Sequence, residues 1–103
     1  MLAGMKHFLL IYDVVEEYLA RRAAYRDEHL SLARAAAGSG ELRYGGAFAN
    51  PADGAVLAFR GADRGVAERF ALADPYVRHG LVTRWTVREW TVVVGADCPP
   101  PPG

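Results

Sequence analysis

LRYGGAFANPADGAVLAFR, residues 42–60, decides how the rest of the chain is read. Leu42–Ala49 and Ala55–Arg60 are extended segments, and Asn50-Pro51-Ala52-Asp53-Gly54 between them is made of residues that favour tight backbone reversal. The stretch is therefore an antiparallel hairpin. In its second strand Ala55, Leu57 and Phe59 alternate with Val56 and Ala58, so both faces of that strand are apolar.

Working outward, the segment before the hairpin is helical. From Val15 to Ala37 there is no Gly or Pro, and Ala, Leu, Arg and Glu dominate, which predicts one long helix ended by Gly38-Ser39-Gly40. Before it, His7–Asp13 places Phe8, Leu10 and Tyr12 on one side of an extended chain and Leu9 and Ile11 on the other. That is a first strand, apolar on both faces. After the hairpin, Gly61-Ala62-Asp63 offers a helix start with Asp63 as N-cap, and Val66, Ala67, Phe70 and Ala71 recur at helical spacing. Asp74-Pro75 stops that helix, because proline disfavours helix in the residue before it, and a loop runs to Gly80. Leu81–Val94, dense in Val, Thr and Trp, is the last strand. Residues 1–96 then form one α+β domain of order βαββαβ, the ferredoxin-like arrangement: a four-stranded antiparallel sheet with two helices on one face. Residues 97–103, Pro-rich, read as a flexible tail. The other sheet face stays apolar and uncovered, which predicts a homodimer through it.

Composition narrows the partners. Twelve Lys and Arg balance twelve Asp and Glu, so no field of one sign draws the chain to nucleic acid or to an anionic membrane surface. Cys98 is the lone cysteine, which rules out an internal disulfide or a multi-thiolate zinc site and fits the reducing cytoplasm. No apolar run approaches the roughly 20 residues that span a membrane, and no signal-peptide pattern opens the chain. His7, His29 and His79 have no paired spacing, so no metal is expected. No glycine-rich phosphate loop stands between a strand and a helix, and no cofactor is expected. Tyr44, Tyr76, Trp85 and Trp90 read as core or interface aromatics.

Chemistry gathers on the first helix. Stepping 100° per residue places Leu19, Ala23, Leu30, Ala33 and Ala37 on one stripe, with Arg26 inside it and Arg22 and His29 along its edge. Charge beside an apolar face is costly without partners, so these groups suggest a polar cleft between helix and sheet. The competing reading has both arginines snorkelling to water or pairing with Asp27, Glu28 or other carboxylates, and His29 as a boundary residue. Asp74 before Pro75 reads equally well as a turn former.

Several segments in order, KHFLLIYD (Lys6–Asp13), ARRAAYRDEHL (Ala20–Leu30), the hairpin, ADPYVRHGL (Ala73–Leu81) and VREWTVVVG (Val87–Gly95), resemble the YCII-related (YciI-like) family. The ordered set of R-x-x-H, a glycine before the hairpin, D-P-Y, G-L and a late Trp carries the resemblance. It departs from the family at Ala47, which follows Gly46 where many members have Gly-Pro. The resemblance implies a ferredoxin-like fold dimerising through its sheets into a dimeric α+β barrel. It implies a pocket with His29 and Asp74 as acid/base catalysts, and Arg22, Arg26, Gly46 and Tyr76 as substrate-binding candidates. One relative removes chloride from a chlorinated hydroxyquinol, which makes a lyase-type step on a small aromatic or carboxylated metabolite the expected chemistry. A ligand-binding or sensing module using the same pocket without turnover, and a dimeric accessory protein, are the alternatives.

Overall fold

The computed structural model describes residues 5–98. Its central strand is β1 (Lys6–Val14), whose alternating pattern buries Phe8, Leu10 and Tyr12. β1 pairs antiparallel with β3 (Gly54–Gly61) on one side, Leu10 opposite Leu57, and with β4 (Val82–Trp90) on the other, Leu10 opposite Val87. β2 (Leu42–Ala47) forms the hairpin with β3, so the sheet runs β2-β3-β1-β4 with every pair antiparallel. Between β1 and β2 lie α1 (Tyr18–Arg21), a 3₁₀ turn (Arg22–Ala24) and α2 (Arg26–Gly38). Between β3 and β4 lie α3 (Gly65–Ala73) and the one-turn α4 (Pro75–Arg78). This is a ferredoxin-like α+β domain.

The core joins Phe8, Leu10, Leu57, Phe59 and Val87 of the sheet to Val66, Ala67, Phe70 and Ala71 of α3. Each large side chain buried there contributes about 1.5–3 kcal/mol relative to exposure. The opposite sheet face carries Leu9, Ile11, Val56 and Ala58, all only partly buried and outside that core. Among the described residues no helix is long and apolar enough to cross a membrane.

Several sequence expectations are corrected. The single long helix is instead broken at Arg22–Tyr25, where Tyr25 leaves helical geometry at φ −119°, ψ 2°. On either side of the break Tyr18 meets Tyr76 edge-on and Tyr25 stacks on His79. Leu19, expected on the packing stripe, is consequently 55% exposed, and Tyr18 is buried in its place. Asp63 is not the cap residue itself: the N-cap of α3 is Arg64, while the Asp63 carboxylate accepts the Gly65 N–H.

The loop expected from Asp74 to Gly80 contains α4, capped by Asp74. The last strand stops at Trp90 rather than Val94, where its ladder with β1 ends at the His7–Trp90 pair.

The chain then turns back across the open sheet face. Arg43 Nε donates to the Asp97 carboxylate at 3.0 Å, Arg60 Nη1 lies 3.4 Å from it and His7 Nε2 3.1 Å. Asp97 is thus docked on β1, β2 and β3 instead of opening a loose tail. Residues 99–103 of the expected tail lie outside the described residues.

Candidate functional site

The site is built around Asp74, which is fully buried. Pro75 holds Asp74 in extended geometry, φ −69° and ψ 122°, so α3 ends there and α4 begins one residue later. As the N-cap of α4, its Oδ1 accepts the Tyr76 N–H at 3.0 Å. The turn-forming reading of Asp74 is correct as far as it goes. The same oxygen accepts His29 Nδ1–H from α2 at 2.8 Å, and Oδ2 accepts the Tyr12 hydroxyl from β1 at 2.7 Å. Three elements converge on one carboxylate.

That convergence dictates the imidazole's state. A carboxylate offers only acceptors, and its contact with His29 is at Nδ1, so the proton of a neutral ring sits on Nδ1 and Nε2 is left as the basic nitrogen. The ring stacks on Tyr76, with centroids 3.9 Å apart and planes within 9°, and meets Phe70 edge-on. His29 is therefore clamped in rotation as well as in tautomer. Burial, followed by the neighbouring Asp74 carboxylate, pushes the Tyr12 phenol well above the usual tyrosine range, so it is a lasting hydrogen-bond donor. Burial and Tyr18 push the Tyr76 phenol up as well, with Arg26 and Arg22 pulling the other way.

His29 opens on a cavity of about 340 Å³ between α2 and the β2–β3 hairpin. Arg22, Arg26, Gly46 and Tyr76 all line it. Arg22 sits in the 3₁₀ turn rather than on the α2 stripe, with its guanidinium 5.4 Å from the Tyr18 ring centroid. Among the described residues neither Arg22 nor Arg26 forms an ion pair with Asp27, Glu28 or any other carboxylate. At Gly46 a Cβ would meet nothing within 4 Å, whereas at Gly45 it would come into van der Waals contact with Leu57 at 3.4 Å. Gly45 pairs with Leu57 and so shares its core-side face, while Gly46 pairs with Val56 on the other face. Both glycines line the cavity, and Gly45, which the sequence reading passed over, is the one on the core-side face.

Tyr12 enters the sequence reading only with Phe8 and Leu10, on one side of the first strand. Its alternation on β1 announces burial, but its partner stands 62 positions away and leaves no local signal. His7 and His79 lie apart from the site, on Asp97 and on Tyr25. Among the described residues, no three His, Cys, Asp or Glu side chains gather into a group that could hold a metal ion.

Fold and geometry together define a class: a ferredoxin-like α+β domain with an imidazole oriented by a buried carboxylate at the mouth of a helix–sheet cavity. The YCII-related domain matches residues 5–91, and the chain belongs to that family. Among solved structures it is similar to the 5-chloro-2-hydroxyhydroquinone dehydrochlorinase TftG from Burkholderia phenoliruptrix AC1100, in complex with 2,5-dihydroxybenzoquinone. The TM-score is 0.69 at 18% identity, covering 82% of this chain and 93% of the other. At that identity the likeness speaks for a shared fold. A search of curated proteins returned no match.

Proposed function

We propose that the protein is a cofactor-independent acid/base catalyst of lyase type, acting on a small aromatic or carboxylated metabolite in the His29 cavity. The observation that carries this reading is the buried Asp74 carboxylate, which takes Nδ1–H of His29 and so presents Nε2 as the proton acceptor. In the step, Nε2 takes a proton from the substrate. The electron pair left behind forms the new double bond and expels the leaving group with its own bonding pair. Protonated His29 then returns its proton to solvent or product. Asp74 touches no reacting atom in this scheme; it orients the ring and fixes its tautomer. The dehydrochlorinase chemistry of the structural neighbour supports the reaction type.

The open face of the sheet, with Leu9, Ile11, Val56 and Ala58, supports assembly as a homodimer of barrel form. The catalytic test is release of halide from chlorinated hydroxyhydroquinones, together with solvent-deuterium exchange into non-halogenated phenols and keto acids. His29→Ala should reduce turnover by 10²–10⁴-fold, on the order expected for a lost general base, and Asp74→Asn should reduce it substantially. Ligands that bind without turnover or exchange would instead favour the binding-module reading.

A further inference from the structure

The cavity has a charge character that the whole chain lacks. Four of its lining residues, Arg22, Arg26, Arg34 and Arg43, are cationic, and no Asp or Glu lines it, although the chain as a whole carries equal numbers of each sign. Arg43 is held by Asp97 at 2.8 Å on the far side of the hairpin. Arg22 and Arg26 flank His29 and have no carboxylate partner among the described residues. Arg22 is half-buried and Arg26 exposed, so both guanidinium groups stay solvated while facing the cavity, where each can give an anion charge-assisted hydrogen bonds.

A second observation points to the same place. Tyr76 is 1% exposed, lines the cavity beneath the His29 ring, and its hydroxyl is buried without a hydrogen-bond partner among the described residues. A buried phenol O–H left unpaired is a standing cost that an added acceptor would remove. Arg26 and Arg22 are the cations whose charge reaches it, and Arg26 comes near as a donor, so what the phenol lacks is an acceptor for its own O–H. Between the arginines and the sheet, Leu30, Ala33 and Leu57 supply an apolar wall. At about 340 Å³ the space is at the small end of ligand pockets.

We infer that this cavity takes a small organic anion: a carboxylate, or an acidic enol or phenol in its ionised form, on a flat body of about one ring. Arg22 and Arg26 hold its charged oxygen, with the Tyr76 hydroxyl as a further donor, and the ring lies on Leu30, Ala33 and Leu57. This rests on the His29 cavity being the functional site, but not on turnover there. Charge-assisted hydrogen bonds to guanidinium are roughly twice as strong as neutral ones, so charge and not shape decides entry.

Isothermal titration calorimetry on the full chain tests this with charge-matched probes: benzoate against benzamide, 4-hydroxybenzoate against 4-hydroxybenzamide, and 2,5-dihydroxybenzoquinone against its dimethyl ether. Each anion should bind at least about tenfold more tightly than its neutral counterpart, with the gap shrinking as salt rises. Arg22→Gln and Arg26→Gln should each weaken the anions by about tenfold and leave the neutral probes unchanged. Arg26→Lys should restore part of the loss, which distinguishes lost charge from a misfolded site. His29→Ala should keep the preference, so the anion inference stands or falls apart from catalysis. Equal binding of anion and amide, failure of every anion to bind at millimolar concentration, or glutamine variants that bind anions as the parent does would each overturn it.

Discussion

At the scale of single residues, Tyr12 is the least conspicuous member of the site and among the most consequential. Among the described residues its hydroxyl is the only hydrogen-bond partner of Asp74 Oδ2, and removing it strands one oxygen of a fully buried carboxylate. Tyr12→Phe should therefore cost about 1–3 kcal/mol in denaturant unfolding. It should also loosen the hold on His29, seen by ¹⁵N NMR as a less uniform Nδ1–H tautomer. An unchanged tautomer and unchanged stability would reduce Tyr12 to a core filler. Its phenol also sets a pH dependence. Because the folded value is raised, the unfolded chain loses this proton first as pH climbs, so the stabilisation is full below about pH 10 and declines above it. In an ultraviolet titration, Tyr12 should ionise only as the protein unfolds, and Tyr12→Phe should flatten the alkaline loss of stability. Asp74 shows why residue type alone left two readings open. An Asp before Pro looks the same in sequence whether it caps a helix or orients a histidine, and here it does both.

Among the elements, the instructive failures are the first helical segment and the chain's last described stretch. Helix propensity over Val15–Ala37 is uniformly good and contains no breaker, so nothing local marks Tyr25 as a bend. The bend exists because Tyr18 and Tyr25 pack against the α4 segment, and packing overrides a propensity difference of a few tenths of a kcal/mol per residue. At the other end, composition suggested a loose tail after Ala96, yet Asp97 finds partners on three different strands, the two arginines Arg43 and Arg60 and the ring of His7. The His7 hydrogen bond, aided by Arg43 and Arg60 and opposed by burial, holds the Asp97 carboxyl below its ordinary value. A lowered folded value means a contribution present above the unfolded value and lost as pH falls through the folded one. Asp97→Asn should cost about 0.5–1 kcal/mol at neutral pH, a figure kept small because the cluster lies near solvent. That difference from the parent should persist down to about pH 4 and fade below it. Matching thermal melts for the two chains at pH 7 would mean that this contact adds nothing to the fold.

For the molecule as a whole, the open question in space is the uncovered sheet face. Leu9, Ile11, Val56 and Ala58 form its middle, Asp97 closes one end, and Tyr44 and Trp90 remain 78% and 47% exposed. Light scattering at micromolar concentration should return twice the mass of one chain. Ile11→Arg should shift the population to monomer while leaving far-ultraviolet circular dichroism unchanged. A parent protein that runs as a monomer at that concentration would remove the sheet-to-sheet assembly. The sequence by itself determined the element order, the hairpin at its centre, the two-sided apolar strands and the candidate residues. Those follow from periodicity and turn chemistry, which act over a few positions, and from a motif set carried in order along the chain. It could not determine that β1, α2 and the start of α4 deliver Tyr12, His29 and Tyr76 to one carboxylate, that Gly45 rather than Gly46 lies on the core-side face, or that Asp97 folds back on the sheet. Those depend on strand register and on contacts across tens of residues. A one-residue slip of β2 would exchange the faces of its two glycines without altering local propensity, so only tertiary packing decides them.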